Sequence, residues 1–356
     1  MHIPMGTPGQ PVAGAPDPGL AAANPAFGNP MFQMFQMFQA MAAAQAGQPL
    51  IDPSALPFTP TAPVPQDGDL GLDAKFIRPA LLSELLRDQA PLPTGTVLDL
   101  LCLSPDRTTA LGGLPKGTTI AFAGPPGRGK TRTALATLCR VAATGQAVGL
   151  VVAEEGFHDA TGSGRDDLCS RLCRIGMLAT GLDEVTLREQ VLKNLWVIES
   201  QYHKGQTWDD FIARYRYLVE KAGVRFIVID SLNMLDPTRN RTADNLSALK
   251  TYNHEHGVTA LCIGQIRDTG QPVGGEALMH TADVVLLLEE IGLTSKEMAE
   301  QWNGKYRDRI VVIHAVKSVT TPTLPHPLRV SQEEGTGALV VSPDHPSTTF
   351  WVPNRP

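Results

Sequence analysis

Apolar residues along this chain fall into short, nearly continuous runs separated by longer segments of helical spacing. The runs are TTIAFAG (118–124), AVGLVVAE (147–154), LWVIES (195–200), VRFIVID (224–230), VTALCIGQ (258–265) and ADVVLLLEE (282–290). A strand with one wet face alternates apolar and polar residues, so unbroken Val/Ile/Leu/Ala runs point to strands covered on both faces. Helical patterns lie between several of them, at 131–143, 208–222 and 244–256. This alternation predicts an α/β fold with a mainly parallel, twisted sheet flanked by helices. Three later runs, RIVVIHAV (309–316), LRVSQE (328–333) and GALVVSP (337–343), are expected to be antiparallel neighbours closing one sheet edge.

The start of the chain lacks this rhythm. Residues 1–66 contain no Lys or Arg and only two acids, Asp17 and Asp52, and are dominated by Pro, Ala, Gly, Met and Gln. Such a composition offers too little apolar surface to offset chain entropy, which predicts a disordered Pro/Ala/Gly/Met-rich arm over 1–70. Its exception is MFQMFQMFQ at 31–39. A three-residue repeat drifts around a helix and gives no single stripe, so this patch is either a passive tail or a docking element for a protein partner. Helical spacing in AKFIRPALLSELLRD (74–88) predicts a lead-in helix and linker over 71–92, leaving 93–356 as one core.

Composition narrows the function classes. A chain of 356 residues with 42% hydrophobic content suits a globular protein. No window reaches about eighteen consecutive apolar residues, and the N-terminus lacks a basic segment followed by an apolar one, so a cytoplasmic protein with no membrane partner is expected. Five cysteines (Cys102, Cys139, Cys169, Cys173 and Cys262) fit reduced core thiols better than a disulfide framework. Cys169 and Cys173 lie on a helical pattern without a second ligand pair, and His254 and His256 end another, so neither pair is a zinc candidate. A net charge of −6 argues against a surface that coats nucleic acid, so any such contact must come from local loops.

Chemistry enters at 124–131, where Gly124, Pro125, Pro126, Gly127, Arg128, Gly129, Lys130 and Thr131 form the pattern Gly-x(4)-Gly-Lys-Thr between an apolar run and a helical one. In that context the pattern is a P-loop. Backbone N–H groups converge on phosphate oxygens at a helix N-terminus, Lys130 adds a positive charge, and Thr131 is a ligand for Mg²⁺. ATP and Mg²⁺ are the expected cofactors. Asp230 ends the run VRFIVID, where a carboxylate reaches a magnesium-bound water. Glu154 and Glu155 end another run and project in different directions, so only one faces the terminal phosphate as candidate base.

Taken in order, TALGGLPKGTTIAFAGPPGRGKT, VGLVVAEEG, FIVIDSLNML, CIGQIRDTGQPVGGEALMHTADVVLLLE and IVVIHAVKS resemble the RecA-fold ATPases. Within them the likeness is to the ATPase core of the RadA/Sms group, then to DnaB-type hexameric helicases, and it spans roughly 93–350. The resemblance implies a RecA-like core in which Glu154 is the catalytic glutamate, with Glu155 less favoured, and Asp230 is the Walker B aspartate. Gln265 matches a strand-end residue that senses the terminal phosphate. The segments 236–245, with Arg239 and Arg241, and 266–276, with Arg267, match loops that face single-stranded DNA or RNA in a central channel. Lys317 matches a cation that acts on a neighbouring subunit's phosphate. The Arg that usually accompanies it is missing, so Lys317 acts alone, Arg307 or Arg309 serves instead, or Lys317 is a surface lysine.

A homo-hexameric, ATP-driven helicase or translocase in DNA recombination or replication is the function this resemblance implies. Its rivals are a viral genome-packaging NTPase on the same fold and a regulatory ATPase acting on a protein partner.

Overall fold

Continuous apolar runs become strands whose successive side chains enter two different cores. The computed structural model describes residues 89–153, 155–159, 161, 166–200, 207–231, 242–265 and 280–356, all within one compact unit, Leu82–Pro356. The expected N-terminal arm and lead-in helix lie outside the described residues, as do Glu154, Arg239, Arg241 and Arg267.

A short hairpin pairs β1 (Pro91–Leu92) with β2 (Leu114–Pro115). The main sheet takes β3 (Thr119–Gly124), β4 (Val148–Val152), β5 (Leu195–Glu199), β6 (Phe226–Asp230), β7 (Thr259–Gln265), β8 (Val284–Gly292), β9 (Arg309–Ser318), β10 (Leu328–Gln332) and β11 (Leu339–Val341). Their spatial order is β11-β10-β9-β8-β3-β7-β6-β4-β5. Pairings from β5 across to β8 are parallel, and those of β8 with β9, β9 with β10 and β10 with β11 are antiparallel. Helices α1 (Lys130–Ala143), α2 (Leu168–Thr180), α3 (Glu184–Gln190), α4 (Trp208–Glu220), α5 (Thr242–His256) and α6 (Lys296–Gln301) complete the described elements longer than one 3-10 turn.

Alternation explains why both sheet faces are dry. On one side Ile120, Phe122, Val148, Leu150, Val152, Phe226, Val228, Leu261, Ile263, Leu286 and Leu288 pack with Leu135, Leu138 and Val141 of α1 and Leu172 and Ile175 of α2. On the other, Ala121, Val151, Ile227, Ile229, Ala260 and Cys262 meet Phe211, Tyr215 and Leu218 of α4 and Leu246 and Leu249 of α5. At about 25 cal/mol per Å² of apolar area removed from water, burial on both faces makes these strands the most stable part of the fold.

Polar side chains then set the helix ends. Asp167 accepts from Ser170 N at the start of α2, Thr207 and Asp210 form a reciprocal cap on α4, and Gly181 ends α2 in the left-handed conformation. Of the cysteines expected in the core, Cys102, Cys139 and Cys262 are buried, whereas Cys169 and Cys173 on α2 are half-buried. Their helix turns one stripe inward through Leu168, Leu172 and Ile175, and these two positions flank that stripe. No helix among the described residues is long and apolar enough to cross a membrane.

Candidate active site

In a parallel sheet every strand ends on the same edge, and here that edge collects the polar residues. Gly124 pairs with Gln265 across β3 and β7, and Val152 pairs with both Asp230 of β6 and Glu199 of β5. Five strand ends from distant parts of the chain therefore share one rim. The P-loop leaves β3 at this rim, and ligands of open α/β sheets bind at carboxyl ends of strands where the strand order reverses. β3 is such a point, because β4 continues beyond β7 and β6 rather than beside it.

Backbone conformation shapes the loop. Gly127 and Gly129 have φ of 71° and 90°, values that L side chains rarely adopt. Gly129 is also the N-cap of α1 and, having no side chain, supplies no side-chain cap to the start of the helix. Pro125 and Pro126 carry no N–H, so the amides of the loop begin at Gly127. The Lys130 side chain is buried and folds back over the loop, its Nζ donating to the carbonyls of Gly124 at 2.7 Å and Pro125 at 2.6 Å.

Thr131, the second residue of α1, donates its hydroxyl to Asp230 Oδ2 at 2.8 Å. These two residues stand 99 apart in sequence, and their contact brings the loop and the β6 end together. A hydroxyl oxygen and a carboxylate side by side are a donor set that suits a small, hard cation such as Mg²⁺. Asp230 is further fixed through its backbone, since its carbonyl accepts from Ala153 N at 2.8 Å.

Glu155 points into a clamp. Arg171 Nη2 on α2 donates to both of its carboxylate oxygens, at 2.7 and 2.6 Å. The segment beyond it is tied down as well, with Phe157 N donating to Glu199 Oε1 at 2.7 Å and Asp159 N to Asp167 Oδ2 at 2.8 Å. Backbone hydrogen bonds and the Asp167 cap hold the Asp167 carboxyl far below the usual carboxylate range. Glu155 thus serves an ion pair.

Lys317 sits elsewhere. It pairs with Val285, which pairs with Ala121, so it lies toward the start of β3 rather than at the P-loop end. Its ammonium donates to His280 O. Burial, helped by the charge of Lys250, holds Lys317 below the usual lysine range, while Asp283 acts in the opposite sense. Of the alternatives, Arg309 pairs with Glu290 at 3.0 Å, and the Arg307 guanidinium lies 5.1 Å from the Tyr306 ring centroid.

Contacts that motif spacing did not announce come from the antiparallel strands. Glu290, near the end of β8, takes Arg128 of the P-loop as well as Arg309. Gln332, the last residue of β10, donates to Gly127 O at 3.3 Å. Thr133 of α1 donates to Gly129 O at 2.8 Å and accepts from Leu339 N of β11 at 2.9 Å. Partners some two hundred residues apart leave no local signal in the sequence.

A family model described as ATPase: KaiC matches residues 92–339. Among solved structures, a KaiC-like protein from the hyperthermophilic archaeon Pyrococcus horikoshii superposes with a TM-score of 0.51 at 20% identity, covering 72% of this chain and 100% of that one. At that identity the likeness speaks for the fold. No curated protein matches the chain.

Proposed function

This chain belongs to the KaiC ATPase family, and from that premise we propose that it is an ATP-hydrolysing ring motor acting on single-stranded DNA or RNA. The observation that carries the ATPase part is the contact of Thr131 with Asp230 beside the buried Lys130. It joins the two halves of a magnesium–nucleotide site at one rim of the sheet.

In this reading the amides of Gly127, Arg128, Gly129, Lys130 and Thr131 receive phosphate oxygens at the α1 N-terminus, where the helix dipole favours negative charge. Lys130 would exchange its carbonyl partners for the β- and γ-phosphates, and Thr131 and Asp230 would hold the metal. Magnesium bound there would neutralise negative charge on the phosphates. Glu154 takes a proton from the attacking water. The Arg171 clamp on Glu155 supports that division of roles, because it commits the neighbouring carboxylate to an ion pair.

The motor part rests on the order of motifs, whose closest likeness within the fold we take to be RadA/Sms and then DnaB. Gln265 shares the rim with Gly124; reading the phosphate state there, it passes a shift to the segment carrying Arg267. Arg239 and Arg241 supply a second loop, and a homo-hexamer repeats these cations around one channel, which reconciles them with an acidic chain. Lys317 reaches the nucleotide of the next subunit.

The test is phosphate release and oligonucleotide binding measured with ATP across a salt series. Stimulation by single strands, lost in Arg267→Ala and weakened by salt, is expected. ATP turnover indifferent to nucleic acid at low salt refutes the motor and favours the regulatory or packaging ATPase with a protein partner for the 1–70 arm.

A further inference from the structure

Two of the five amides that the P-loop offers depend on how their peptide planes are turned. In a planar trans peptide the C=O and the following N–H point in opposite directions, so whatever holds the carbonyl also aims the amide. The Lys130 amide is aimed in this way from within α1, because Thr133 N and Thr133 Oγ1 both donate to Gly129 O, at 2.9 and 2.8 Å. The Arg128 amide has no such local support. Its carbonyl partner, Gly127 O, receives the Gln332 side-chain amide at 3.3 Å from the end of β10.

The Gln332 side chain lies close against the loop. A Cβ on Gly129 would meet Gly337 O at 3.0 Å and Gln332 Nε2 at 3.3 Å, so the β10–β11 turn lies directly against the loop. A Cβ on Gly337 would in turn meet the Arg132 side chain at 2.5 Å. The Arg128 side chain is drawn away separately by Glu290. With both prolines unable to donate, backbone contacts to phosphate in the loop fall to the amides from Gly127 onward.

We propose that Gln332 is a positioning residue for phosphate binding, turning the Gly127–Arg128 peptide so that the Arg128 N–H faces the nucleotide phosphates. This deepens the nucleotide-site reading above and rests on it. Gln332 is exposed and ends its strand, so replacing it leaves the cores untouched.

Titration with a ribose-labelled fluorescent ADP, competition by inorganic pyrophosphate, and steady-state ATP hydrolysis test it in the full chain, comparing wild type with Gln332→Met and Gln332→Ala. Met keeps the length of the side chain and removes the donor. Loss of one aimed hydrogen bond is expected to weaken ADP and pyrophosphate alike by about fivefold, and to raise KM with kcat nearly unchanged. The melting temperature without nucleotide stays at the wild-type value. Unchanged affinity in Gln332→Met overturns the proposal. So does a loss of ADP affinity that spares pyrophosphate, since that places Gln332 at the base or ribose, and so does a loss matched by an equal fall in melting temperature. A wild-type chain that binds ADP in none of these assays overturns the nucleotide reading itself, a result distinct from equal binding by wild type and variant.

Discussion

The parallel strands β5-β4-β6-β7-β3-β8 and the antiparallel strands β9-β10-β11 belong to one sheet yet differ in what they contribute. The inner parallel strands β3, β4, β6 and β7 bury both faces, whereas the edge strand β5 leaves Trp196 exposed, and Gly124, Glu199, Asp230 and Gln265 at the strand ends share a rim. Antiparallel strands are half-buried, with polar residues along their length, and reach back to that rim through Glu290 partners, Gln332 and the Leu339 amide. One region supplies candidate chemical groups and the other fixes their geometry. The two should therefore fail differently when mutated: the first in turnover, the second in affinity or stability.

The largest expected effect lies in the parallel region. Asp230→Asn keeps shape and removes a charge beside Thr131, and ATP turnover is expected to fall about 100-fold or more with little change in melting temperature. Equal turnover in wild type and variant would remove Asp230 from the site.

Next come the contacts between the regions. Thr133→Val preserves volume but leaves Leu339 N and Gly129 O without their side-chain partner, in a position with 0% exposure. Unfolding by urea should show a loss of about 1–3 kcal/mol. Gly129→Ala places a side chain at φ 90° and 3.0 Å from Gly337 O. A cost of about 1–2 kcal/mol is expected from the backbone conformation alone, together with weakened nucleotide binding. A variant as stable as wild type would show that the turn yields easily.

The smallest effect is a pH dependence confined to the antiparallel region. His345 accepts from Arg329 N at 3.1 Å through Nδ1 and donates through Nε2 to Phe350 O at 2.8 Å, an arrangement that needs the neutral ring. Burial holds His345 below the usual histidine range, and His326 beside it likewise. For a base whose folded pKa is depressed, stability is full above the unfolded value of about 6.5 and declines as pH falls toward the folded value. Melting temperature should drop by a few degrees, on the order of 4 °C, between pH 8 and 5.5. In His345→Gln the drop should shrink; an identical slope would assign it to other groups.

Strand and helix positions were legible because each element carries its own apolar period. The runs at 118–124, 224–230 and 258–265 became β3, β6 and β7 with ends shifted by no more than two residues. The antiparallel tail was legible for the same reason. Helix α3 and the short α6 were not anticipated, since a helix of two turns repeats its pattern too few times to stand out. In the site, Lys130, Thr131 and Asp230 could be named from their places beside strands, and the structure brings Thr131 and Asp230 into contact. The Arg171 clamp on Glu155 and the Gln332 contact are tertiary and have no period. The charge of Lys317 was visible, but its seat beside His280 and Lys250 depends on a β8–β9 register that spacing does not encode.

The most direct measurement is phosphate release from ATP with Mg²⁺ raised from zero, for wild type and Lys130→Ala side by side. Turnover that appears with magnesium in wild type and falls to background in Lys130→Ala is expected if the rim of the parallel strands is the catalytic site. A wild-type chain that releases no phosphate at any magnesium concentration, or a Lys130→Ala variant that matches it, would contradict that assignment.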